Sequence, residues 1–479
     1  MESYDLLIVG GGINGTAIAR DAAGRGLRVL LVERDDLGSH TSSASSKLIH
    51  GGLRYLEYYE FRLVREALRE REVLLRTAPH IVRPLRFVLP RSKGMRPVWM
   101  IRAGLALYDL LAWGSSLPRS RRVHGDGGEL RWPLKPRIGR LFSYWDAWVD
   151  DARLVALNAL DAAARGATVL TRTELLSARR DGETWHATLS NGRTVEALAI
   201  VNAAGPWVAE VLGTRLSEDS ASRARLIKGS HIVVPKLFEG GHSYILQQPD
   251  GRVVFAIPYE GSFTLIGTTD VPVERPEDAA IAAEEKAYLC AAANVYFERQ
   301  IAPADVVWSY AGVRALHDDG AADAKAVTRD YHLELDDGPG APLLSIFGGK
   351  ITTARALAEE ALAKLAIAKP WTAAAALPGG EDFEPFSVRF AASHHWLPPA
   401  TVQRLLRAYG DRAERVLAGA QSLAALGRDF GAGLTEAEIA YLKEHEFART
   451  ADDILWRRTK LGLHMSAAER DAVREFVGA

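Results

Sequence analysis

Cysteine is nearly absent: the 479-residue chain has one, Cys290. A single thiol cannot build an intramolecular disulfide, a Cys₄ zinc site or an iron–sulfur cluster, so no metal centre is expected and a reducing compartment is. An excess of either charge is also missing. Lys and Arg number 59 against 60 Asp and Glu, a net charge of -1 at pH 7, which argues against a dedicated nucleic-acid binder. No window of about 18 apolar residues is free of charge. The nearest, VWMIRAGLALYDLLAW at residues 98–113, contains Arg102 and Asp109. No basic n-region followed by an apolar h-region opens the chain, so no secretory leader is expected and the cytosolic side is. Repeats and low-complexity tracts are absent as well.

What remains is an ordinary globular composition, 48% hydrophobic and 25% charged, long enough for about three domains at roughly 150 residues each. Residues 5–9 (DLLIV) read as a strand, 10–15 as a glycine turn, 13–25 as a helix and 28–32 as a second strand. That order is a βαβ unit with a parallel sheet. A charged helix is expected at 61–78, another at 154–164, and strands at 168–171 and 197–202. Between 210 and 345 the pattern changes to short alternating runs at 231–234, 244–247, 253–257 and 263–266. These read as an inserted antiparallel sheet. A strand at 343–347 and a helix at 352–365 restore the α/β pattern. Residues 366–387, with Pro370, Pro378, Gly379 and Gly380, read as a linker to a helical C-terminal region. Capping boxes at Thr435/Glu438 and Ser466/Glu469, and a cap at Thr450, mark helix starts there.

Gly10, Gly12 and Gly15 form G-x-G-x-x-G between a strand and a helix. Gly10 permits the tight turn, Gly12 lets the backbone approach a pyrophosphate, and Gly15 lets helix pack on strand, while the helix N-terminus favours the anion. Glu33, 18 residues after Gly15, suits the hydroxyls of an adenosine ribose. Its charge disfavours a 2′-phosphate, although the adjacent Arg34 keeps that form open. The loop 38–56, GSHTSSASSKLIHGGLRYL, carries six Ser or Thr residues and then Lys47, His50, Gly51, Gly52, Arg54 and Tyr55. A hydroxyl-rich, glycine-closed loop suits a flavin dinucleotide better than a mobile nicotinamide. VNAAGPW at 201–207 ends a strand in small residues that let backbone approach a cofactor. At Gly348-Gly349-Lys350 a helix N-terminus and a lysine place positive charge where a reduced flavin ring becomes negative.

The strings GGGINGTAIARDAAGRGLRVLLVER, SSASSKLIHGGLRYLEYYEFRLVREAL, DDARLV, LIKGSHIVVP, IGTTDV, GVRAL, FGGKITTARALAEEAL and ADDILWRRTKLG resemble the FAD-dependent, quinone-linked glycerol-3-phosphate dehydrogenases, most closely the bacterial aerobic form. The resemblance runs from about residue 4 to about 462. It implies an α/β fold: a Rossmann-like FAD domain of the glutathione-reductase and D-amino-acid-oxidase type, an inserted antiparallel-sheet substrate domain, and a C-terminal helical cap. The expected division is 1–80, 145–212 and 340–368 for FAD, 81–144 and 213–339 for substrate, and 385–479 for the cap. The implied reaction oxidises sn-glycerol 3-phosphate to dihydroxyacetone phosphate, with electrons passing through FAD to ubiquinone. An α-glycerophosphate oxidase, using oxygen and releasing hydrogen peroxide, is the alternative.

By motif, Arg54 and Arg314 are the expected phosphate ligands, since forked donors suit a phosphomonoester. His231 in KGSHIVVP is the expected general base, Thr269 and Tyr55 the expected substrate hydrogen-bonders, and Lys350 the group at the flavin's negative edge. Gly10, Gly12, Asn14, Gly15, Glu33 and Arg34 are expected on FAD, with Thr41, Ser42, Ser45, Ser46, Lys47, His50 and Gly51 from the serine-rich loop. Ala204, Gly205, Trp207, Gly348, Gly349, Lys350, Ile351 and Thr352 complete that set.

Residues 83–122 hold nine basic side chains (Arg83, Arg86, Arg91, Lys93, Arg96, Arg102, Arg119, Arg121 and Arg122) against one acid, Asp109, with Trp99, Met100, Tyr108 and Trp113 among them. Aromatics among basic residues suit a lipid headgroup region. Because a quinone acceptor lies in the bilayer, the resemblance implies peripheral, monotopic attachment to the cytoplasmic side of the cell membrane; no nucleic acid is expected as partner. A homodimer is the expected assembly.

Overall fold

A computed structural model describes residues 2–91, 96–124, 127–218, 222, 224–317 and 330–478. Two sheets organise it. The first has the strand order His332–Asp336, Leu343–Phe347, Thr194–Asn202, Glu2–Val9, Val29–Val32, Thr168–Leu170, with the hairpin Leu175–Asp181/Thr184–Leu189 joined to Thr194–Asn202. Its centre is parallel: Ile8 pairs with Val201 on one side and with Leu31 on the other. The strands are buried on both faces and read as near-continuous apolar runs, as parallel sheets do. Helices Ile13–Gly24, Asp151–Ala164 and Ala354–Lys364 cover it through a core that includes Ile18, Leu154, Leu157 and Leu357.

The second sheet runs Val271–Pro272, Ala224–Pro235, Phe263–Gly267, Val253–Tyr259, His242–Gln247, Val82–Pro90, Leu141–Val149, Leu48–Ile49, with Trp308–His317 paired to Ala224–Pro235. It is mixed rather than wholly antiparallel, because His242–Gln247 runs parallel to Val82–Pro90. The strand positions also move the expected domain limits. Leu48–Ile49 and all of Leu141–Val149 belong to this sheet, while His332–Asp336 belongs to the first. The chain thus crosses between the sheets inside the serine-rich loop.

The C-terminal region is helical, with Phe383–Ser393, Pro399–Tyr409, Glu436–His445 and Ala467–Val477 packed around Leu405, Tyr409, Ile439, Leu442 and Val473. Ser466 and Glu469 form a complete capping box. Thr435 accepts the Glu438 N–H, but the Glu438 carboxylate is taken by Arg404 and Tyr409, leaving that box half made. Thr450 accepts from the N–H of Asp453, and the wide π-helical turn Asp453–Arg458 follows. The expected linker holds no regular helix or strand through residue 382, yet it is fastened down. Arg20 donates to the carbonyls of Ala375 and Ala376, and the Trp371 indole N–H donates to that of Asp21.

Candidate active site

One cavity of about 360 Å³ runs between the two sheets, from Glu33 and Arg34 at one end to Tyr55, Arg314 and Lys350 at the other. The glycine turn forms part of its wall because side chains are excluded there. A Cβ on Gly10, which has φ +111°, would lie 2.5 Å from the Ala203 carbonyl oxygen, and one on Gly15 would lie 1.9 Å from that of Gly10. Gly15 itself does not line the cavity. It brings helix Ile13–Gly24 against the strand, so the helix N-terminus points where a diphosphate would sit.

At the first end Glu33 is fixed by two backbone donors, Gly11 N–H at 2.6 Å and Asp35 N–H at 2.8 Å. Burial raises its pKa above the usual glutamate range, and those two bonds oppose the rise. The Arg34 guanidinium stacks 4.2 Å from the Trp207 ring, whose indole N–H donates to Glu277 at 2.7 Å. Glu33, Asp35 and His40 place ring and carboxylate atoms within 4.8 Å of one another, with His40 Nε2 2.8 Å from Asp35 Oδ2.

Of the expected cofactor residues, Gly10, Gly12, Asn14, Glu33, Arg34, Thr41, Ser42, Ser45, Ser46 and His50 line the cavity. Ala204, Gly205, Trp207, Gly348, Gly349, Lys350, Ile351 and Thr352 do as well. Asn14 bridges the two glycine-rich segments, donating to the Gly348 carbonyl at 3.1 Å. The Asn14 Oδ1 and Ser39 Oγ atoms are buried with no hydrogen-bond partner among the described residues. Buried polar atoms of this kind normally find a partner: a diphosphate would accept from the Ser39 hydroxyl, and an N–H or hydroxyl of a flavin dinucleotide would donate to Asn14 Oδ1. The long shape, glycine wall, ribose-facing carboxylate and orphaned polar atoms fit a flavin dinucleotide.

Several expected residues lie elsewhere. Lys47 is buried, and its ammonium is held by both Asp151 carboxylate oxygens at 2.8 Å and by the Ser43 carbonyl. It fastens the loop to helix Asp151–Ala164 and does not line the cavity. Gly51 gives its N–H to the Tyr108 hydroxyl, and a Cβ there would strike that hydroxyl and Leu68, so its role is close packing. Arg54 is half-buried in the turn Leu53–Tyr58, outside the cavity wall. Thr269 is buried against the far side of the sheet, donating to Glu285 at 2.7 Å and accepting the Ser230 N–H. Its neighbour Thr268 faces the cavity instead.

His231 is 1% exposed and does not line the cavity either. Its Nε2 is 2.8 Å from the Ser46 hydroxyl, which does, and its ring stacks on Tyr310 at 4.9 Å. Burial, with Arg314 and Lys47 nearby, holds its pKa well below the usual histidine value, so the imidazole is neutral. Arg314 lines the cavity and is steered by Asp270, 2.6 Å from its Nη1, and by Thr268. Lys350 Nζ sits 4.1 Å from the Tyr55 ring centre. Phe255, Thr268, Gly312, Thr173 and Glu174 also line the cavity. Phe255 could have been read from alternation along its strand, and Gly312 from its place in GVRAL. Nothing local marks Thr173 and Glu174.

The model of the family described as FAD dependent oxidoreductase matches residues 5–355, and that of the C-terminal domain of alpha-glycerophosphate oxidase matches 370–478. The chain is 53% identical over 490 residues to the glycerol-3-phosphate dehydrogenase of Pseudomonas aeruginosa, covering 99% of this chain and 95% of that one. It is 51% identical over 490 residues to the D-erythritol 1-phosphate dehydrogenase of Brucella abortus, covering 99% and 98%. Among solved structures, the glycerol-3-phosphate dehydrogenase of Bacillus halodurans complexed with FAD aligns with a TM-score of 0.73 at 26% identity, over 99% of this chain and 94% of that one. The cavity, the family match over most of the chain and these identities agree: the chain is an FAD-dependent oxidoreductase and belongs to the family of the FAD-dependent glycerol-3-phosphate dehydrogenases.

Proposed function

We propose that the enzyme oxidises sn-glycerol 3-phosphate to dihydroxyacetone phosphate and passes the electrons through FAD to ubiquinone in a membrane that it binds peripherally from the cytoplasmic side. The observation that carries the substrate class is the convergence, at one end of the flavin-shaped cavity, of Arg314, Lys350 and the Ser46–His231 pair. Arg314 supplies a forked, permanent cation for a phosphomonoester. Asp270 accepts from Nη1 and Thr268 more weakly from Nη2, which steers the guanidinium while it lines the cavity.

Bound FAD supplies the hydride acceptor. The chain's task is then to take the proton of the substrate's secondary hydroxyl as the carbinol hydrogen leaves. His231 is neutral and has a lone pair to offer; it does not line the cavity, but the Ser46 hydroxyl beside its Nε2 does. The Ser46 hydroxyl accepts the substrate proton and gives its own to His231 Nε2, which keeps the base dry while connecting it to the reacting atom. Lys350, at the N-terminal end of helix Ala354–Lys364, places a cation beside the ring edge that gains negative charge on reduction. Tyr55 holds that cation by its ring face.

The identity to a D-erythritol 1-phosphate dehydrogenase favours a second reading, in which a four-carbon polyol phosphate fills the same end of the cavity. Comparison of kcat/KM for the two phosphates decides between them: a ratio above one for glycerol 3-phosphate supports the first, and the reverse ratio supports the second.

No helix among the described residues is long and apolar enough to cross a membrane. Trp99 (68%) on helix Val98–Leu111, Trp113 (77%) just past its end and Tyr59 (79%) just past the turn Leu53–Tyr58 are instead exposed, as are Arg102 and, on helix Phe61–Thr77, Arg62, Arg65 and Arg69. Lys93, counted in the same basic stretch, lies outside the described residues. Amphipathic aromatics flanked by arginines suit an anionic lipid surface, and a lipid-borne quinone would meet the enzyme there.

A further inference from the structure

The wall of the cavity that faces the adenosine end of FAD is made by two short segments. One is Glu33 and Arg34, the other Thr173 and Glu174. Thr173 N–H donates to the Glu33 carbonyl at 2.8 Å and Arg172 N–H to that of Asp35 at 3.0 Å, so the segments are laced together. Each is also tied to the C-terminal region by ion pairs, in which the Asp36 and Asp453 carboxylates are buried and the Arg172 side chain is 37% exposed. Asp36 is 0% exposed, and its carboxylate takes both Nη groups of Arg458 at 2.8 Å and the Nε of Arg457 at 2.6 Å. Arg172 donates to both oxygens of Asp453, at 2.8 and 3.0 Å, and Arg457 joins the same carboxylate. Arg457, Arg458 and Asp453 all belong to the one wide turn Asp453–Arg458.

Charges this deeply buried are a poor adhesive. Their desolvation offsets most of their attraction, and apolar groups of the same size would join the surfaces as well or better. The C-terminal region already has its own apolar core. What buried, forked ion pairs provide is geometry, since each fixes distance and orientation at once. The geometry fixed here is that of the loop whose Asp35 N–H orients the Glu33 carboxylate.

Resting on FAD as the cofactor and on no particular substrate, we propose that Asp36 and Arg172, gripped by Arg457, Arg458 and Asp453, are positioning residues through which the C-terminal region holds the adenosine-binding loop closed on FAD. The cap is in this sense a cofactor-retaining clamp. The grip is set for acid as well: burial alone would raise the Asp453 pKa, but the N–H groups of Arg449 and Thr450, with Arg457 and Arg172, hold it down at about 2.

The test is the rate at which diluted holoenzyme releases FAD, followed by the rise of free-flavin fluorescence. Asp36→Asn should release FAD at least tenfold faster than wild type. Arg458→Lys, which keeps one charge on Asp36, should fall between wild type and Arg458→Met. Glu438→Gln breaks the Arg404–Glu438 pair inside the C-terminal region, away from the loop. It should lower the unfolding midpoint and leave FAD release at the wild-type rate. Release from Asp36→Asn within twofold of wild type, or equal acceleration by Glu438→Gln, would overturn the proposal. If Asp36→Asn does not fold, Arg457→Gln, which leaves the Arg458 fork intact, carries the same test with a smaller expected acceleration.

Discussion

Arg314 is the residue whose loss has the clearest signature. It faces the cavity as a steered cation, and a charge-assisted hydrogen bond contributes about 1.5–3 kcal/mol. Arg314→Ala should therefore raise KM for the phosphate substrate by roughly 10- to 100-fold while FAD content stays at one per chain; an unchanged KM would remove it as the phosphate ligand. For the proton path, a positioned base contributes about 10²–10⁴-fold, so His231→Ala should slow flavin reduction at saturating substrate by that order. Ser46→Ala should slow it comparably, because Ser46 is the cavity-lining group bonded to His231 Nε2, and Ser46→Thr should restore part of the rate. Stopped-flow reduction rates separate these outcomes, and a wild-type rate in Ser46→Ala would break the relay. The motif residues that line the cavity were legible because each carries its chemistry in its immediate neighbours. Thr269 and Lys47 were misread for opposite reasons. Just past strand Phe263–Gly267, Thr268 lines the cavity while the adjacent Thr269 turns away to Glu285, so one position separates the two roles. Lys47 was expected on FAD because its partner, Asp151, is 104 positions away in sequence.

Among the elements, the glycine turn tolerates no added side chain at Gly10 or Gly15. A methyl group on Gly15 would meet the Gly10 carbonyl at 1.9 Å, and neither atom belongs to a flexible side chain. Gly15→Ala should force the helix off the strand, and purified protein should contain little FAD as judged by the ratio of flavin to protein absorbance. Helix Val98–Leu111 makes a different prediction. Its exposed Trp99, and Trp113 just beyond its end with the Arg119 guanidinium 5.6 Å from its ring centre, present their rings to solvent, so Trp99→Ser with Trp113→Ser should reduce sedimentation with anionic vesicles by about tenfold or more. Flavin reduction in solution should be unaffected, and undiminished vesicle binding would move the contact elsewhere. The parallel strands were legible from apolar runs bounded by glycine. The strands Val82–Pro90, Leu141–Val149 and Trp308–His317 were not, because Pro84 and Arg86, Asp146, and Arg314 interrupt their apolar pattern. Those charges are accepted because Asp146 finds Arg71 and Arg314 finds Asp270 across the fold.

For the whole molecule, three histidines are buried in neutral form. Burial holds the pKa of His80 at about 3 and that of His242 at about 4, and that of His231 well below its usual value. In the unfolded chain they titrate near 6.5, so below that pH the unfolded state binds protons that the native state does not. Stability from these groups is thus fully present above about pH 7 and declines as pH falls through 6.5 toward 4. The unfolding midpoint should drop between pH 7.5 and 5.5, and His242→Gln should flatten that slope by about one proton's worth. A two-sheet oxidoreductase was legible in the order of motifs, yet where the chain crosses between sheets was not, since Leu48–Ile49 joins the second sheet inside a loop that otherwise serves the first. The C-terminal region was readable as helical from its caps, whereas its grip on the cofactor loop spans more than 400 residues of sequence and is visible only in space.

The most direct test is to mix the yellow holoenzyme with sn-glycerol 3-phosphate in the absence of oxygen and follow the oxidised-flavin absorption. The proposed function predicts rapid bleaching, reversed quickly by a soluble ubiquinone and slowly by air. Flavin that stays oxidised with FAD bound would contradict the assigned substrate, and rapid recovery in air with hydrogen peroxide would contradict the quinone acceptor.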